Sequence, residues 1–291
     1  MDITGILGGS QWDRNCSALP PLLNDSVEYP AMPKVLDLDL DFFVWPIIRG
    51  PVKKRPAYSN NPCASEDQVR AYLEQQCGLS TTNKLPGRFC KKHDGAFYAW
   101  KKWIAKGSLS KPFEVAHLDG HSDLSFGDAS WAYVLETTLA LLPDQRSTPP
   151  RKIHRLNEGT YLTFAIANRW IERLAYVYPP CLWSEYESRR AEEFRGFPSD
   201  LNVALFKNGK RESGAIQLRH LNSSDINRVT LGGQPVSPIA FEPEVPITMM
   251  PGNHFAQTGF THMILAHSEK YCPPEADKLI PVIQEYFYNA Y

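Results

Sequence analysis

Apolar and polar positions along the chain fall into blocks of two kinds, one alternating strictly and one recurring every three to four residues. The first clear block, V-L-D-L-D-L-D-F-F at residues 35–43, alternates apolar side chains with Asp37, Asp39 and Asp41, which predicts a strand. Ser65 and Gln68 form a capping box that starts a helix running to Cys77. Over residues 94–106, Phe97, Trp100 and Ile104 return at offsets of three and four, the spacing of one helix face. F-E-V-A-H-L-D, from Phe113, predicts a short strand that ends in a polar cluster. Residues 131–142 and 160–168 read as helices, and residues 174–178 as a strand stopped by Pro179 and Pro180. Short apolar runs at 202–206, 215–221 and 259–266 sit between turn-rich stretches, and residues 275–288 predict a closing helix.

Strands alternating with helices predict an α/β three-layer sandwich, a mostly parallel sheet covered by helices. Ligand sites in such sheets gather at the carboxyl ends of the strands. No repeat or composition break divides the chain, so residues 1–291 are expected to form a single domain. Residues 1–33, rich in Pro, Asn and Ser, read as an irregular arm.

Composition narrows the function classes. With 43% hydrophobic and 22% charged residues, the chain can bury a sizeable core. Its 31 basic and 32 acidic residues nearly cancel, so no global field favours nucleic acid or an anionic membrane. Lys53, Lys54 and Arg55 make one local basic loop. The six cysteines, Cys16, Cys63, Cys77, Cys90, Cys181 and Cys272, form no C-x-x-C pair, which argues against a zinc knuckle or a disulfide framework and for a reducing cytoplasm. No stretch approaches a membrane span and no signal peptide is evident, so a soluble cytoplasmic protein is expected.

The chemistry is concentrated in two acidic motifs. H-L-D-G-H-S-D, residues 117–123, contains Asp119, His121 and Asp123 in a D-x-H-x-D pattern. Residues two apart on an extended segment project to the same side, about 6.6 Å from one another. Asp37, Asp39 and Asp41 obey the same rule. Taken singly, each motif has an ordinary reading, a solvent-facing strand for the Asp triplet and capping or turn roles for the second. Together they form an acidic cluster whose unpaired burial would cost several kcal/mol per carboxylate. Carboxylates with imidazole and no thiolate favour a hard to borderline divalent ion, manganese first, with iron, cobalt or zinc as weaker fits. Four or five carboxylates suit two ions sharing bridging aspartates better than one ion.

D-G-H-S-D resembles the D-A-H-x-D signature of the arginase and agmatinase superfamily, and D-L-D-L-D-F-F is similar to its D-x-D motif. The superfamily places a further histidine ligand at the head of a helix upstream, which the resemblance assigns to His93 in K-K-H-D-G. V-L-D-L-D-L-D-F-F, H-x-D-x-H-x-D-L and A-H-S-E-K-Y-C-P-P (residues 266–274) resemble a branch of that superfamily that includes peptide arginases. These motifs span Val35 to Pro274. The resemblance implies a ureohydrolase fold, with the motif order permuted because D-x-D here precedes D-x-H-x-D. It implies two Mn²⁺ ions held by His93, Asp119, His121, Asp123, Asp39 and Asp41. Asp39 would bridge and Asp41 would serve one ion, with Asp37 either a further ligand or a supporting group. The guanidinium-facing acid has Glu269 as its nearest candidate, and Asp123, His254 or His267 would relay a proton to the departing nitrogen.

The implied reaction converts arginine side chains of a ribosomally made precursor peptide to ornithine with release of urea. The basic loop and the aromatics around Trp45 are candidate peptide contacts, and oligomerisation is left open. Rival readings are a small-molecule ureohydrolase, a deacetylase on the same fold, a haloacid-dehalogenase-like phosphatase with Asp39 as nucleophile, and a metal-stabilised peptide-binding module. The phosphatase pattern expects Thr or Val where Phe43 stands, and it leaves D-x-H-x-D unexplained.

Overall fold

Five β-strands that share the centre of one sheet all end at the same edge, and their arrangement decides where the polar motifs meet. In chain order the strands are β1 (Lys34–Asp39), β2 (Leu85–Cys90), β3 (Phe113–Leu118), β4 (Ile171–Tyr178), β5 (Ala215–Ile216), β6 (Arg219–His220), β7 (Ala240–Phe241), β8 (Val245–Pro251), β9 (His262–Ala266) and β10 (Phe287–Asn289). The computed structural model describes residues 31–48, 53–124, 129–146, 156–179, 203–210, 213–230 and 236–290. Within it, Met32–Tyr291 cluster as one compact unit. The expected arm at residues 1–33 lies, apart from its last three residues, outside the described residues.

Eight strands run in the order β10-β2-β9-β1-β3-β4-β8-β5, and β6 pairs with β7 separately. Every neighbouring pair in the large sheet is parallel except β5 with β8. β1 lies between β9 and β3, so the carboxyl ends of these strands are adjacent. The helices are α1 (Glu66–Gln75), α2 (Gly95–Ala105), α3 (Ala129–Tyr133), α4 (Tyr161–Ala167), α5 (Ser223–Thr230) and α6 (Leu279–Gln284). One face of the sheet packs against α2 and α4 through Phe97, Trp100 and Phe164, and the other against α1 and α6 through Val69, Leu73 and Val282. This is the expected layering, a mostly parallel α/β sheet with helices on both faces.

Alternation along β1 sends Leu36 and Leu38 to the second core and Val35 to the first. Burying each such side chain contributes roughly 1.5–3 kcal/mol, which anchors the strand at the sheet centre. The solvent-facing reading of the Asp triplet is therefore excluded, because Asp37, Asp39 and Asp41 are all at most 3% exposed.

The structure departs from the sequence expectation in several elements. The extended segment ends at Asp39, and residues Leu40–Phe43 turn as a 3₁₀ helix capped by the Asp39 side chain. β2, L-P-G-R-F-C, carries no alternation that would announce a strand; pairing with β9 and β10 makes it one. The closing segment is a 3₁₀ turn at Pro274–Lys278 followed by α6, and Phe287–Asn289 leaves the helix to pair with β2. The expected helix at 131–142 is a short α3 continued by a wide turn at Val134–Thr138. Among the described residues, Cys63, Cys77, Cys90 and Cys272 are buried and unbridged, and no helix is long and apolar enough to cross a membrane.

Candidate metal centre

Four carboxyl-end segments build the site. β1 delivers Asp37 and Asp39, and the 3₁₀ turn swings Asp41 round beside them. The turn after β2 carries His93, whose carbonyl accepts a hydrogen bond from Ala96 N at 2.9 Å as α2 begins. The segment after β3 carries Asp119, His121 and Asp123. The turn after β9 brings Ser268. Asp41, His93, Asp119 and Asp123 are all buried.

Three carboxylates converge on one nitrogen. His93 Nδ1 lies 2.8 Å from Asp119 Oδ2, 3.0 Å from Asp123 Oδ2 and 3.2 Å from Asp39 Oδ2. A ring nitrogen carries at most one proton, so it satisfies one of the three. Beside this point, His121 Nδ1 lies 3.0 Å from Asp41 Oδ2 and 3.5 Å from Asp119 Oδ1. Among the described residues, the buried oxygens Asp41 Oδ2 and Asp123 Oδ2 have nothing beyond these histidine contacts and no further hydrogen bond. Leaving such atoms unpaired is costly, and a cation set among them removes the cost.

Ligand-type atoms within 4.8 Å of one another form two groups, one of His93, His117, Asp119 and Asp123 and one of Asp41, Asp119 and His121. Asp119 belongs to both, through one oxygen on each side. Asp39 adds its contact to the first group. This donor set fits two divalent ions, because it is rich in carboxylates, includes imidazole and lacks thiolate.

The charge balance points the same way. Burial, together with the Asp119 charge, pushes the Asp123 carboxyl up to about 7. Burial and the charges of Asp119 and Asp39 push Asp41 well up. Burial disfavours the His93 cation, yet Tyr161, Asp37, Asp119 and Asp123 together hold it well above its ordinary value. Protons thus neutralise part of a negative cluster that metal ions would neutralise in their place.

Asp37 stands behind the cluster. Its Oδ1 lies 3.2 Å from His93 Nε2, the nitrogen facing away from the three carboxylates. Its Oδ2 accepts from the Tyr161 hydroxyl and lies 3.1 Å from His117 Nδ1. Burial pushes the Asp37 carboxyl up, but His93 and His117 outweigh it and hold it below the usual range. An anion on the outer nitrogen of a metal-binding histidine fixes its tautomer and raises its basicity. Of the two roles left open for Asp37, this geometry is that of the supporting group. Asp37→Asn should therefore weaken metal binding about 10- to 100-fold while keeping the ion count at saturation. Titration with Mn²⁺ checks this, and outright loss of one ion would make Asp37 a ligand.

Further support was not read from the sequence. His117 is two residues before Asp119 on the same strand face, so alternation alone had placed it beside the motif. Tyr161 has no local signal. Ser268 donates its hydroxyl to Asp39 Oδ2, and Asp39 Oδ1 accepts from Asp41 N at 3.2 Å. Gly120 N donates to Asp41 Oδ1 at 2.9 Å and His121 N to Asp119 Oδ1 at 2.6 Å, so backbone groups aim both carboxylates. Asp123 and Ser268 have left-handed backbone (φ 49° and 43°), a conformation that costs a non-glycine residue of order 1 kcal/mol and is retained at sites that need it.

The other expected residues sit outside this cluster. Glu269 is exposed, in the 3₁₀ turn Glu269–Tyr271, and its charge is felt by Arg55. Tyr271 of that turn packs its ring on His121, with centroids 4.7 Å apart. His254 is exposed in the turn after β8. His267 Nε2 lies 2.8 Å from Asp277 Oδ1. Arg55 of the basic loop also binds Asp277 and donates to the carbonyls of Cys272 and Pro273 at 3.0 Å, so it fastens the segment that follows Tyr271. Trp45 is buried, which removes it from the peptide-contact surface expected there. Set against known proteins, the chain matches no family model and no curated protein sequence.

Proposed function

We propose that the protein is a two-metal hydrolase that converts arginine side chains of a peptide to ornithine with release of urea. The observation that carries the reading is the double role of Asp119, whose two oxygens face His93 on one side and His121 on the other. His93, Asp119 and Asp123, with His117 and Asp39 beside them, would hold one ion, and His121, Asp119 and Asp41 the other. Two bound divalent ions supply Lewis acidity and a water nucleophile active at neutral pH. Manganese is the ion this donor set suits best.

The chain's own residues supply position. Backbone donors from Gly120 and His121 and the Ser268 hydroxyl hold three carboxylates in place before any ligand arrives, so little reorganisation is needed. The ring of Tyr271 packs against His121 and covers one side of it. In the overall reaction, water adds to the guanidinium carbon and the bond from that carbon to the side-chain nitrogen breaks. The oxygen leaves in urea, and both water protons end on the amine of ornithine. Asp123, inside the cluster, is the proposed proton relay; His254, His267 and Glu269, which lie outside it, take no part in this proposal. The resemblance of the three motifs selects this chemistry among two-metal hydrolases.

Purified protein loaded with Mn²⁺ should release urea from an arginine-containing peptide. The product should be lighter by about 42 Da per arginine, the CH₂N₂ that leaves with the urea carbon. Mass spectrometry and a urea assay read both, with free arginine and agmatine as parallel substrates. Tight metal binding with no urea from any of the three would overturn the reading. Urea from the small substrates alone would replace the peptide by a free guanidine.

A further inference from the structure

His121 is held from two sides by loops far apart in the chain. On one side its Nε2 lies 2.8 Å from the carbonyl oxygen of Ile48, in the segment that follows the Leu40–Phe43 turn. A carbonyl only accepts, so Nε2 carries the proton of this bond and Nδ1 is the nitrogen turned to Asp41 and Asp119. On the other side lies the Tyr271 ring, in the turn after β9. Groups that fix the tautomer and ring orientation of a ligand histidine govern metal affinity from outside the ligand set.

Arg55 joins the two loops. Its guanidinium forks onto Asp277, with Nη1 2.7 Å from Oδ2 and Nη2 2.5 Å from Oδ1, and its Nε and Nη2 donate to the carbonyls of Cys272 and Pro273 at 3.0 Å. Those carbonyls belong to the two residues that follow Tyr271. Before Tyr271, His267 Nε2 meets the same Asp277 Oδ1 at 2.8 Å, and the His267 backbone N–H donates to Cys90 O at 2.9 Å. The Tyr271 turn is thus held at both ends. The stretch that carries Arg55 is fastened in turn to the Ile48 loop: Asn61 Nδ2 donates to Pro46 O at 2.7 Å, Trp45 N donates to Pro62 O at 2.9 Å, and Val44 pairs with Cys63 as an antiparallel bridge. An isolated surface ion pair contributes little, but here a bidentate fork is completed by two backbone carbonyls, and only 23% of the Arg55 side chain is exposed.

We infer that Arg55 is a positioning residue for the second ion: by tying the Tyr271 turn to the Ile48 loop, it holds the His121 ring between them with Nδ1 aimed at Asp41 and Asp119. The inference rests on the two-ion reading above and adds a residue that belongs to neither ligand group. The group of Asp41, Asp119 and His121 has three donors where the other has four, so a loosened His121 weakens it more. The contact needs a guanidinium, because an ammonium has no fixed fork to serve the carboxylate and both carbonyls together.

Arg55→Met, Arg55→Lys and Asp277→Asn test this on the full chain. Calorimetric titration of the metal-free protein with Mn²⁺ should show the second ion bound about 10-fold more weakly by Arg55→Met, with the first ion's affinity kept. Arg55→Lys should recover part of the loss. Asp277→Asn, which keeps the side-chain shape and removes the charge, should give a smaller loss of the same kind, and adding it to Arg55→Met should weaken binding no further. A second readout needs no metal. In protein with isotope-labelled histidine, the His121 Nε2–H, assigned by its absence from His121→Gln, should exchange with water about 10-fold faster in Arg55→Met than in the wild type. Equal weakening of both ions, or a lowered melting temperature with unchanged second-ion affinity, overturns the inference and leaves Arg55 a stabilising contact alone. So does His121 Nε2–H exchange that is the same in both proteins. A wild type that takes up a single ion overturns the two-ion reading instead, and the exchange of the His121 Nε2–H still decides whether Arg55 holds that ring.

Discussion

Asp119→Asn should remove both halves of the candidate metal centre in one step. Each Asp119 oxygen serves one side, Oδ2 near His93 and Oδ1 near His121, and no other residue belongs to both ligand groups. Asparagine keeps an oxygen to accept the His121 N–H, so the turn is preserved while the shared negative charge is lost. Metal content should fall from about two ions per chain to less than one, and urea release by about three orders of magnitude or more, equivalent to about 4 kcal/mol of transition-state stabilisation. Asp41→Asn is the control, because Asp41 belongs to the second group alone and should cost one ion. Elemental analysis of the purified variants decides the matter: an Asp119 variant that retains two ions would show that the two groups do not share a ligand.

Metal removal should have the second largest effect, this time on stability. Asp37, Asp39, Asp41, Asp119 and Asp123 are buried together, and His93, His117 and His121 are the cationic groups facing them. Without metal, protons must share the work, as the raised Asp123 and Asp41 carboxyls indicate. An ion that binds the folded chain alone stabilises it by about 2.7 kcal/mol at a free concentration of one hundred times Kd. For a domain of this size that corresponds to a rise in Tm of about 5–10 °C per ion. Thermal unfolding followed with Mn²⁺, then with a chelator, reads the effect. An unchanged Tm would mean that the carboxylates are already satisfied by the histidines.

Much of this centre is legible in the sequence because its donors sit in short, regular patterns. D-x-D and D-x-H-x-D place chemically similar side chains two residues apart, and burial of the intervening Leu38 and Leu40 in the first motif and Ser122 in the second makes the polar partners share an environment. His93 is different: nothing within its own turn distinguishes it from an ordinary histidine, and only the resemblance singled it out. The layering of the fold was also readable, since strand and helix periodicities alternate along the chain. β2 and β10 were not, because L-P-G-R-F-C and F-Y-N acquire strand form by pairing with each other and, for β2, with β9.

Sequence alone determined which residue types would gather and at which edge of the sheet, since local alternation sets the side on which a residue emerges and parallel strands bring their carboxyl ends together. Tertiary structure decided what each carboxylate does. Asp37 is separated from Tyr161 by 124 positions and Asp39 from Ser268 by 229. The turn at Leu40–Phe43, not the strand, delivers Asp41 to His121. No local pattern encodes those meetings. They follow from the order in which β9, β1 and β3 pack, which is a property of the whole core, and that packing separates the carboxylates that meet at the candidate metal centre from Asp37, which lies behind His93.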